Sequence, residues 1–428
     1  MKLRILSSFL ATTLTLATGC AEGPIEPVED GNSKADQISG RDDPSGLLGN
    51  AERRLAKLVT EAEVGESFGV PREETPYPDT YWPMVDDGIA VEWMEKDGTE
   101  CFTANECADP ELSPLEKLLS ITNPSAIASA KAWEIKNHGS EVPNVASWFG
   151  HCPGWVANAI LNGPVTAPVF VRGSALGLEK CPEGEPGCVR FEIGDVNALG
   201  AEIHEGAFSR FIGARCDTEP TEIKRDEFGR IVRDGRGCKG LNAGSMLILM
   251  GNRLKNDQTP FAIDAQEEFT TDQIWNQPAY KYTVNKFGAL TESEAANLVA
   301  SGGASKTGDQ NRYLWNNLAA GFVFIDFTLH WVTETSGPNT TVVNGADSSN
   351  STRMVAVIEL DKDASNDDAK VIGGEYLDDE SVGASRLSNH PFAWIPLDAG
   401  PEFRHNPFVK NAHVKQLLAI AKEARETN

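Results

Sequence analysis

A cysteine between two tryptophans is the strongest candidate for chemistry in this sequence. Residues 147–155 read SWFGHCPGW. A Pro-Gly step follows Cys152, and the apolar run WVANAIL then continues with helical spacing, which predicts a thiol at or just before a helix N-terminus. Oriented N–H groups there lower a thiol's pKa and bind an oxyanion. Trp148 and Trp155 are expected to exclude water and to wall one side of a substrate. The predicted chemistry is acyl transfer through a thioester.

The spacing of the eight cysteines supports a thiol at this position. The short polar loops ECFTANEC and KCPEGEPGC each hold two cysteines, and a third pair flanks a charged segment. Cys20 is expected to carry a lipid, so this scheme leaves Cys152 as the thiol, either as a nucleophile or as an inert core residue. The predicted disulfides are Cys101–Cys107, Cys181–Cys188 and Cys216–Cys238.

A nucleophilic cysteine also needs a base and a group that orients the base. His151 is adjacent to Cys152, and adjacent side chains rarely face each other productively. The run FVFIDFTLHWVT, residues 322–333, alternates as a strand and places His330 on its polar face. By position His330 is the best candidate base, and the alternative is a structural histidine.

The sequence gives little support for a metal, cofactor or nucleic-acid site. The sequence contains no HExxH, paired CxxC, Walker A or dinucleotide glycine motif, so no metal site and no cofactor are predicted. The acidic run DKDASNDD, residues 361–368, lacks the glycine and terminal glutamate of an EF-hand and is interpreted as a solvated turn. A formal net charge of −25 and a pI near 4.7 argue against nucleic-acid binding.

The N-terminus indicates export. Residues 1–20 combine a basic start and a short apolar stretch with a final Ala-Thr-Gly-Cys, which resembles a lipoprotein signal. An ordinary signal peptide is the alternative. Residues 21–50 have the composition of a flexible acidic stalk. We therefore expect an envelope lipoprotein that meets the membrane only through the lipid on Cys20, or else a secreted protein.

The remaining chain predicts an α+β protein in which a helical N-terminal part carries the nucleophile and packs on a mainly antiparallel sheet. An N-terminal helical and irregular segment spans 51–112, a catalytic domain 113–400 and a C-terminal helical segment 401–428. Within these, helices are predicted at 51–65, after Ser125 as a possible cap, and at 410–426. The predicted strands are 245–250, 260–264, 322–333 and 353–360.

Five stretches, in order, are similar to the transglutaminase elicitor family, known from cell-wall transglutaminases of oomycete plant pathogens. They span about residues 115–396. The run IWNQPAYKYTV (274–284) resembles the WNQP-containing surface peptide of that family. The other four are SWFGHCPGW, FIGARC with GCKGLNAGS, FAID, and VIGGEY with SNHPFAW.

The resemblance implies a papain-like transglutaminase architecture and a defined reaction. Members join the γ-carboxamide of a protein glutamine to a lysine amine, through a thioester, with loss of ammonia. By motif, Cys152 would be the nucleophile and Asp264 the acid that orients the base. Trp155 and Trp275 would wall the substrate site. The implied partners are proteins that bear glutamine and lysine.

Two positions depart from the family pattern. Leu247 stands where the family has a histidine, and Phe392 follows Pro391 directly where the family has an aspartate. Three interpretations follow from Leu247: His330 supplies the base, the activity is weak, or the domain is a catalytically impaired binding module. A papain-like peptidase or amidase is a further alternative, because hydrolysis shares the thioester.

Overall fold

The computed structural model describes residues 61–93, 113–213, 241–265, 274–301, 319–339, 341–377 and 392–427. The predicted signal and stalk fall outside these ranges, as does most of the predicted helix at 51–65. Within the described residues, no helix combines the length and the apolar composition needed to span a bilayer. The candidate residues that also fall outside are Cys20, Cys101, Cys107, Cys216 and Cys238.

A large antiparallel sheet forms the centre of the described fold. Its strand order is β10-β9-β8-β7-β6-β11-β5, and β1 pairs with the long strand β7. Three more strands form a small separate sheet in the order β3-β2-β4. The strands are β1 (Ser67–Gly69), β2 (Val169–Ser174), β3 (Gly177–Lys180), β4 (Val189–Phe191), β5 (Phe208–Gly213), β6 (Phe261–Asp264), β7 (Asn276–Leu290), β8 (Gly321–Val332), β9 (Ser349–Leu360), β10 (Val371–Leu377) and β11 (Phe392–Asp398).

Helices cover both faces of this sheet. Helices α1, α4 and α7 form a second apolar core with the small sheet, while α6 packs at the β8–β9 end of the large one. A π-helical turn at Gly251–Asn256 continues α5. The helices are α1 (Pro114–Thr122), α2 (Ile127–His138), α3 (Cys152–Asn162), α4 (Ile193–His204), α5 (Ala243–Met250), α6 (Glu292–Ser301) and α7 (Asn411–Thr427).

The side chains of strand β6 alternate between two apolar cores, which lie on opposite faces of the large sheet. Phe261 and Ile263 belong to the core that α5 covers. Ala262 belongs to the opposite core, together with Trp155 of α3 and Trp394 of β11. Helices α3 and α5 therefore lie on opposite faces of the sheet.

The structure confirms most of the predicted elements. The α+β layout, the strands at 260–264, 322–333 and 353–360, and the helices after residue 125 and at 410–426 are present. The run 361–368 is the turn between β9 and β10. The alternation in β8 is also as predicted, because its odd-numbered residues from 323 to 331 lie in the α5-side core.

Two local predictions are wrong. Residues 245–250, predicted as a strand, belong to helix α5, whose N-cap Asn242 accepts a hydrogen bond from the Ser245 amide at 2.7 Å. The helix is buried on every side, and a uniformly apolar run carries no periodicity that separates helix from strand. Ser125 is also not the cap of α2, because it lies within a 3₁₀ turn and the N-cap is Ala126.

The segment from residue 75 to 93 is part of the fold and crosses the predicted nucleophile loop. Six of its apolar side chains belong to the buried core. Its backbone pairs with the loop, since the Met84 amide donates to the Phe149 carbonyl at 2.9 Å and the His151 amide donates to the Tyr81 carbonyl at 2.6 Å. The six buried apolar side chains are Tyr77, Trp82, Met84, Ile89, Ala90 and Trp93.

Candidate active site

Cys152 is the first residue of helix α3, and His151 is its N-cap. The thiol is buried, with 5% of the residue exposed. The first turn of α3 lies against helix α4 at backbone distance, because a Cβ added to Gly154 would lie 2.1 Å from the Ala201 carbonyl oxygen. Glycine is therefore required at this position. The predicted location at a helix N-terminus is confirmed.

Asn276, the first residue of β7, contacts the sulfur from the sheet. Its Nδ2 donates toward Cys152 Sγ at 3.8 Å. Its Oδ1 accepts a hydrogen bond of 2.8 Å from the indole Nε1 of Trp394. The indole N–H can only donate, so it fixes the orientation of the amide and directs the NH₂ group toward the sulfur.

Asp264 lies beside this amide. It ends strand β6 and is the cross-strand partner of Asn276, so the two side chains share the face that α3 covers. The carboxylate is fully buried, and its Oδ1 accepts a hydrogen bond of 3.0 Å from the Trp275 backbone amide. The structure thus brings Cys152, Asn276 and Asp264 together from three elements.

The three predicted wall tryptophans occupy different environments. Trp155 is 1% exposed, and its Nε1 donates to the Tyr77 carbonyl at 3.3 Å, which places it in the core beneath the sulfur rather than on an open wall. Trp148 is half-buried and packs edge-on against Phe149 with ring centroids 4.4 Å apart. Trp275 is half-buried and holds Asp264 through its backbone.

His330 lies farther along the sheet. It pairs with Lys281 on the neighbouring strand, five residues beyond Asn276, which corresponds to about 15 Å along β7. Burial, assisted by the charge of Lys281, lowers the pKa of His330 to about 4. This separation argues against His330 as the base for Cys152, although its predicted role stays a prediction.

Leu247 does not face the sulfur. It belongs to α5 and packs in the α5-side core with Ile263 and Phe327. A histidine at this position of the present fold would be separated from Cys152 by the sheet. The substitution of leucine for the family's histidine is therefore not by itself a reason to infer a disabled site.

A tyrosine and a glutamate next to the nucleophile loop were missed by the sequence analysis. The Tyr81 hydroxyl donates to the Ser147 carbonyl at 2.9 Å. Burial raises the pKa of Tyr81, and electrostatic interactions with Glu334, Asp86 and Cys152 raise it further. Burial also raises the pKa of Glu334, which interacts electrostatically with Tyr81, to about 7.

On the other side of the α3 N-terminus, His151 points into a cluster of carboxylates. Its Nε2 lies 3.4 Å from Glu134 Oε1, and its Nδ1 lies 3.6 Å from Glu202 Oε2 and 3.3 Å from Glu205 Oε2. His138 completes the cluster, with Nδ1 at 3.3 Å from Glu134 Oε1. Both imidazole nitrogens of His151 are thus directed at carboxylates.

Charge dominates this buried cluster. Burial by itself lowers the pKa of each histidine, but the carboxylates outweigh it and raise the pKa of His138 to about 10 and that of His151 well above its usual range. For Glu134 burial raises the pKa, and the two histidines reverse the effect and lower it. The residues whose ligand atoms could share a metal ion are Glu134, His138, His151 and Glu202.

Little in the sequence pointed to these additional residues. Asn276 lies in the run IWNQPAYKYTV, of which only Trp275 was predicted as a site residue. Glu134 and His138 share one face of α2 by their spacing of four, but Glu202 and Glu205 come from an element about 65 residues later. Only the approach of α2 to α4 assembles the cluster.

The disulfide prediction is confirmed for the one pair that the structure describes. Cys181 and Cys188 are joined by a bond of 2.04 Å. The bridge links the end of β3 to the start of β4, which flank the short polar loop that favoured this pairing.

Comparison with known proteins places this geometry in a family. Among solved structures, the crystal structure of the GP42 transglutaminase from Phytophthora sojae matches with a TM-score of 0.59 and 17% sequence identity, covering 92% of this chain and 99% of that chain. This likeness shows a shared α+β, transglutaminase-like fold. No curated protein matches the sequence significantly. The family model described as transglutaminase elicitor matches residues 126–423, and the chain belongs to the transglutaminase elicitor family.

Proposed function

We propose that this protein is a protein-glutamine γ-glutamyltransferase that uses Cys152 as its nucleophile. The observation that carries the proposal is the sulfur at the N-terminus of α3, held next to the Asn276 amide and the Asp264 carboxylate. A helix N-terminus and an amide donor both favour negative charge on sulfur and on a reacting oxygen.

The reaction would proceed in two acyl transfers. The sulfur attacks the γ-carboxamide carbon of a glutamine, and the tetrahedral intermediate expels ammonia and leaves a thioester. A lysine amine then attacks the thioester, forms an isopeptide bond and restores the thiol. The amide of Asn276 cannot accept a proton, so we assign it the role of donor to the thiolate or to the developing oxyanion.

Asp264 is proposed to orient the groups around the sulfur. Its fully buried carboxylate lies across from Asn276 and is held by the Trp275 amide, a rigid arrangement of the kind that positions a catalytic base. The substrates we propose are proteins that present accessible glutamine and lysine side chains.

Incorporation of a fluorescent primary amine into a glutamine-bearing protein tests the activity. Wild type should label the acceptor protein with release of ammonia, and Cys152→Ala should fall to background. Equal signals from the two proteins would contradict the proposal. Mass analysis of the acceptor separates transfer, which gives the amine adduct, from an amidase reaction, which gives only deamidated glutamine.

A non-catalytic binding module is the second candidate. It is favoured by the low exposure of the site, since only 5% of Cys152 and none of Asp264 are accessible beneath the segment 75–93. Iodoacetamide labelling across pH distinguishes the candidates. A thiol that reacts with an apparent pKa clearly below the ordinary value of about 8.5 supports the enzyme, and an ordinary or unreactive thiol supports the binding module.

We also propose that the protein is exported and anchored by a lipid on Cys20. The disulfide between Cys181 and Cys188 supports an oxidising compartment, and the lipobox-like signal supports the anchor. Metabolic labelling with an alkyne fatty acid should mark the wild type and not Cys20→Ser. Equal labelling, or no labelling of either protein, would contradict the anchor.

A further inference from the structure

Five polar side chains converge behind the nucleophile helix, four of them buried and the fifth, Glu205, half-buried. Glu134 and His138 come from α2, His151 is the N-cap of α3, Glu202 lies in α4, and Glu205 follows α4. Glu134 and Glu202 are fully buried, and His151 is 1% exposed. The cluster is distinct from the Cys152 site, because it lies on the other side of the α3 N-terminus.

The inward-facing atoms of this cluster do not hydrogen-bond with one another. They approach at 3.3 to 3.8 Å across the site. Six buried donor or acceptor atoms at one place would be costly without compensation, because a buried polar atom normally has a partner. The six atoms are Glu134 Oε1, His138 Nδ1, His151 Nδ1, His151 Nε2, Glu202 Oε2 and Glu205 Oε2.

The outward oxygens of two carboxylates are, by contrast, firmly bonded to one residue. Asn406 donates from Nδ2 to Glu134 Oε2 at 2.8 Å and from its backbone amide to Glu202 Oε1 at 2.6 Å. Such outer contacts orient ligands in metal sites. They direct Glu134 Oε1 and Glu202 Oε2 toward the histidines.

We propose that these residues form a structural site for a divalent transition metal, with Zn²⁺ as the first choice. Metal–ligand bonds of about 2.0–2.1 Å in a tetrahedron separate neighbouring ligand atoms by roughly 3.3–3.4 Å. The separations of 3.3 and 3.4 Å between Glu134 Oε1 and the two imidazoles match that spacing.

The donor set favours zinc over calcium or magnesium. Two imidazoles with carboxylates suit Zn²⁺ and its neighbours in the transition series, whereas Ca²⁺ and Mg²⁺ prefer oxygen ligands throughout. A divalent cation would also offset the negative charge of the buried carboxylates of Glu134 and Glu202.

The site would connect three helices next to the nucleophile. An ion bound by Glu134, His138, His151 and Glu202 would hold α2 and α4 to the N-cap of α3, one residue before Cys152. Protein ligands surround the position and all four are buried, which is the arrangement of a structural site rather than a catalytic one. The ion takes no part in acyl transfer, so its binding can be tested without activity.

Metal analysis of the full-length protein tests the proposal. We expect about one zinc per chain after exhaustive dialysis, loss on treatment with a strong chelator, and recovery with Zn²⁺ but not with Ca²⁺. Removal should lower the Tm and re-addition should restore it. Co²⁺ should give the intense visible absorption of a tetrahedral complex with nitrogen and oxygen ligands.

A matched pair of variants locates the site. His138→Gln at the end of α2 should abolish stoichiometric Zn²⁺ and Co²⁺ binding, while His413→Gln on α7 should bind as wild type does. If His138→Gln fails to fold, the Co²⁺ spectrum of the wild type and the effect of chelator on its Tm still show whether the protein binds a metal ion. The proposal would be overturned by a wild type that binds neither Zn²⁺ nor Co²⁺ and whose Tm does not change with chelator. The cluster would then consist of protonated histidines paired with the glutamates.

Discussion

Two neighbouring residues at the start of α3 face opposite polar environments. Cys152 contacts the amide of Asn276, which lies across from the carboxylate of Asp264 on the sheet. His151, one position earlier, faces three carboxylates and a second histidine supplied by α2 and α4. The imidazole nearest to the nucleophile in sequence is therefore engaged away from the sulfur. Adjacency along the chain does not place two side chains in one site.

The two environments differ in burial and in how their polar groups are held. In the first, on the side of His151, the side chains of Glu134, His151 and Glu202 are buried, and Asn406 fixes the orientation of the two carboxylates. In the second, the contact between Asn276 and the sulfur is long, and the titratable groups nearby have pKa values displaced toward neutrality or upward. Perturbed pKa values of that kind are common at functional sites.

The largest effect on stability is expected from Glu134→Gln. The change leaves His138 and His151 facing a neutral amide in a buried site, so we expect a loss of about 3–5 kcal/mol in the free energy of unfolding. Urea denaturation measures it. Glu73→Gln, at an exposed position, is the control and should change the stability by less than about 0.5 kcal/mol. A small loss for Glu134→Gln would show that the cluster contributes no order to the fold.

The largest effect on activity, apart from that of Cys152 itself, is expected from Asn276→Ala. Removing the donor that faces the sulfur should lower kcat for amine incorporation by about 100-fold. Asn350→Ala, on the exposed end of β9, should leave kcat unchanged. Circular dichroism confirms that both variants are folded. If both variants retain full activity, the contact between Asn276 and the Cys152 sulfur does not contribute to catalysis.

His204→Gln isolates a buried histidine whose Nδ1 faces the Gly200 carbonyl at 2.7 Å instead of a carboxylate. Burial lowers the pKa of His204 to about 4. Between that value and the unfolded value near 6.5, the unfolded chain binds the extra proton, so wild-type stability falls as pH drops through this window. From pH 7 to pH 5 the wild type should lose about 2 kcal/mol relative to the variant. Parallel stability curves for the two proteins would contradict this.

The smallest effect is expected from His330→Gln. Because His330 lies about 15 Å along the sheet from Asn276, amine incorporation should stay within about 2-fold of wild type. The comparison is His390→Gln, two residues before β11 in the sequence. Loss of activity in His390→Gln only would assign the role of base to His390, which lies in the run SNHPFAW. Loss in His330→Gln would show that the described arrangement of β7 and β8 changes during catalysis.

The sequence by itself determined the features that depend on local pattern. The break at Pro153 and the apolar run after it placed Cys152 at a helix N-terminus, and strict alternation defined the faces of β8. The seven-residue spacing of Cys181 and Cys188 was sufficient to predict their bond. Five motifs in order indicated the family that the family model shows.

The tertiary structure decided everything that depends on contacts between distant elements. The segment 245–250 is part of a helix that is buried on all sides, so its uniformly apolar sequence carries no periodicity that would identify it as a helix. The pairing of β6 with β7 brings Asn276 to the sulfur, and the sheet separates Leu247 from it. The approach of α2 to α4 joins Glu134 and Glu202 around His151. Such convergence has no sequence signature, because it arises from packing between elements whose separation along the chain varies freely.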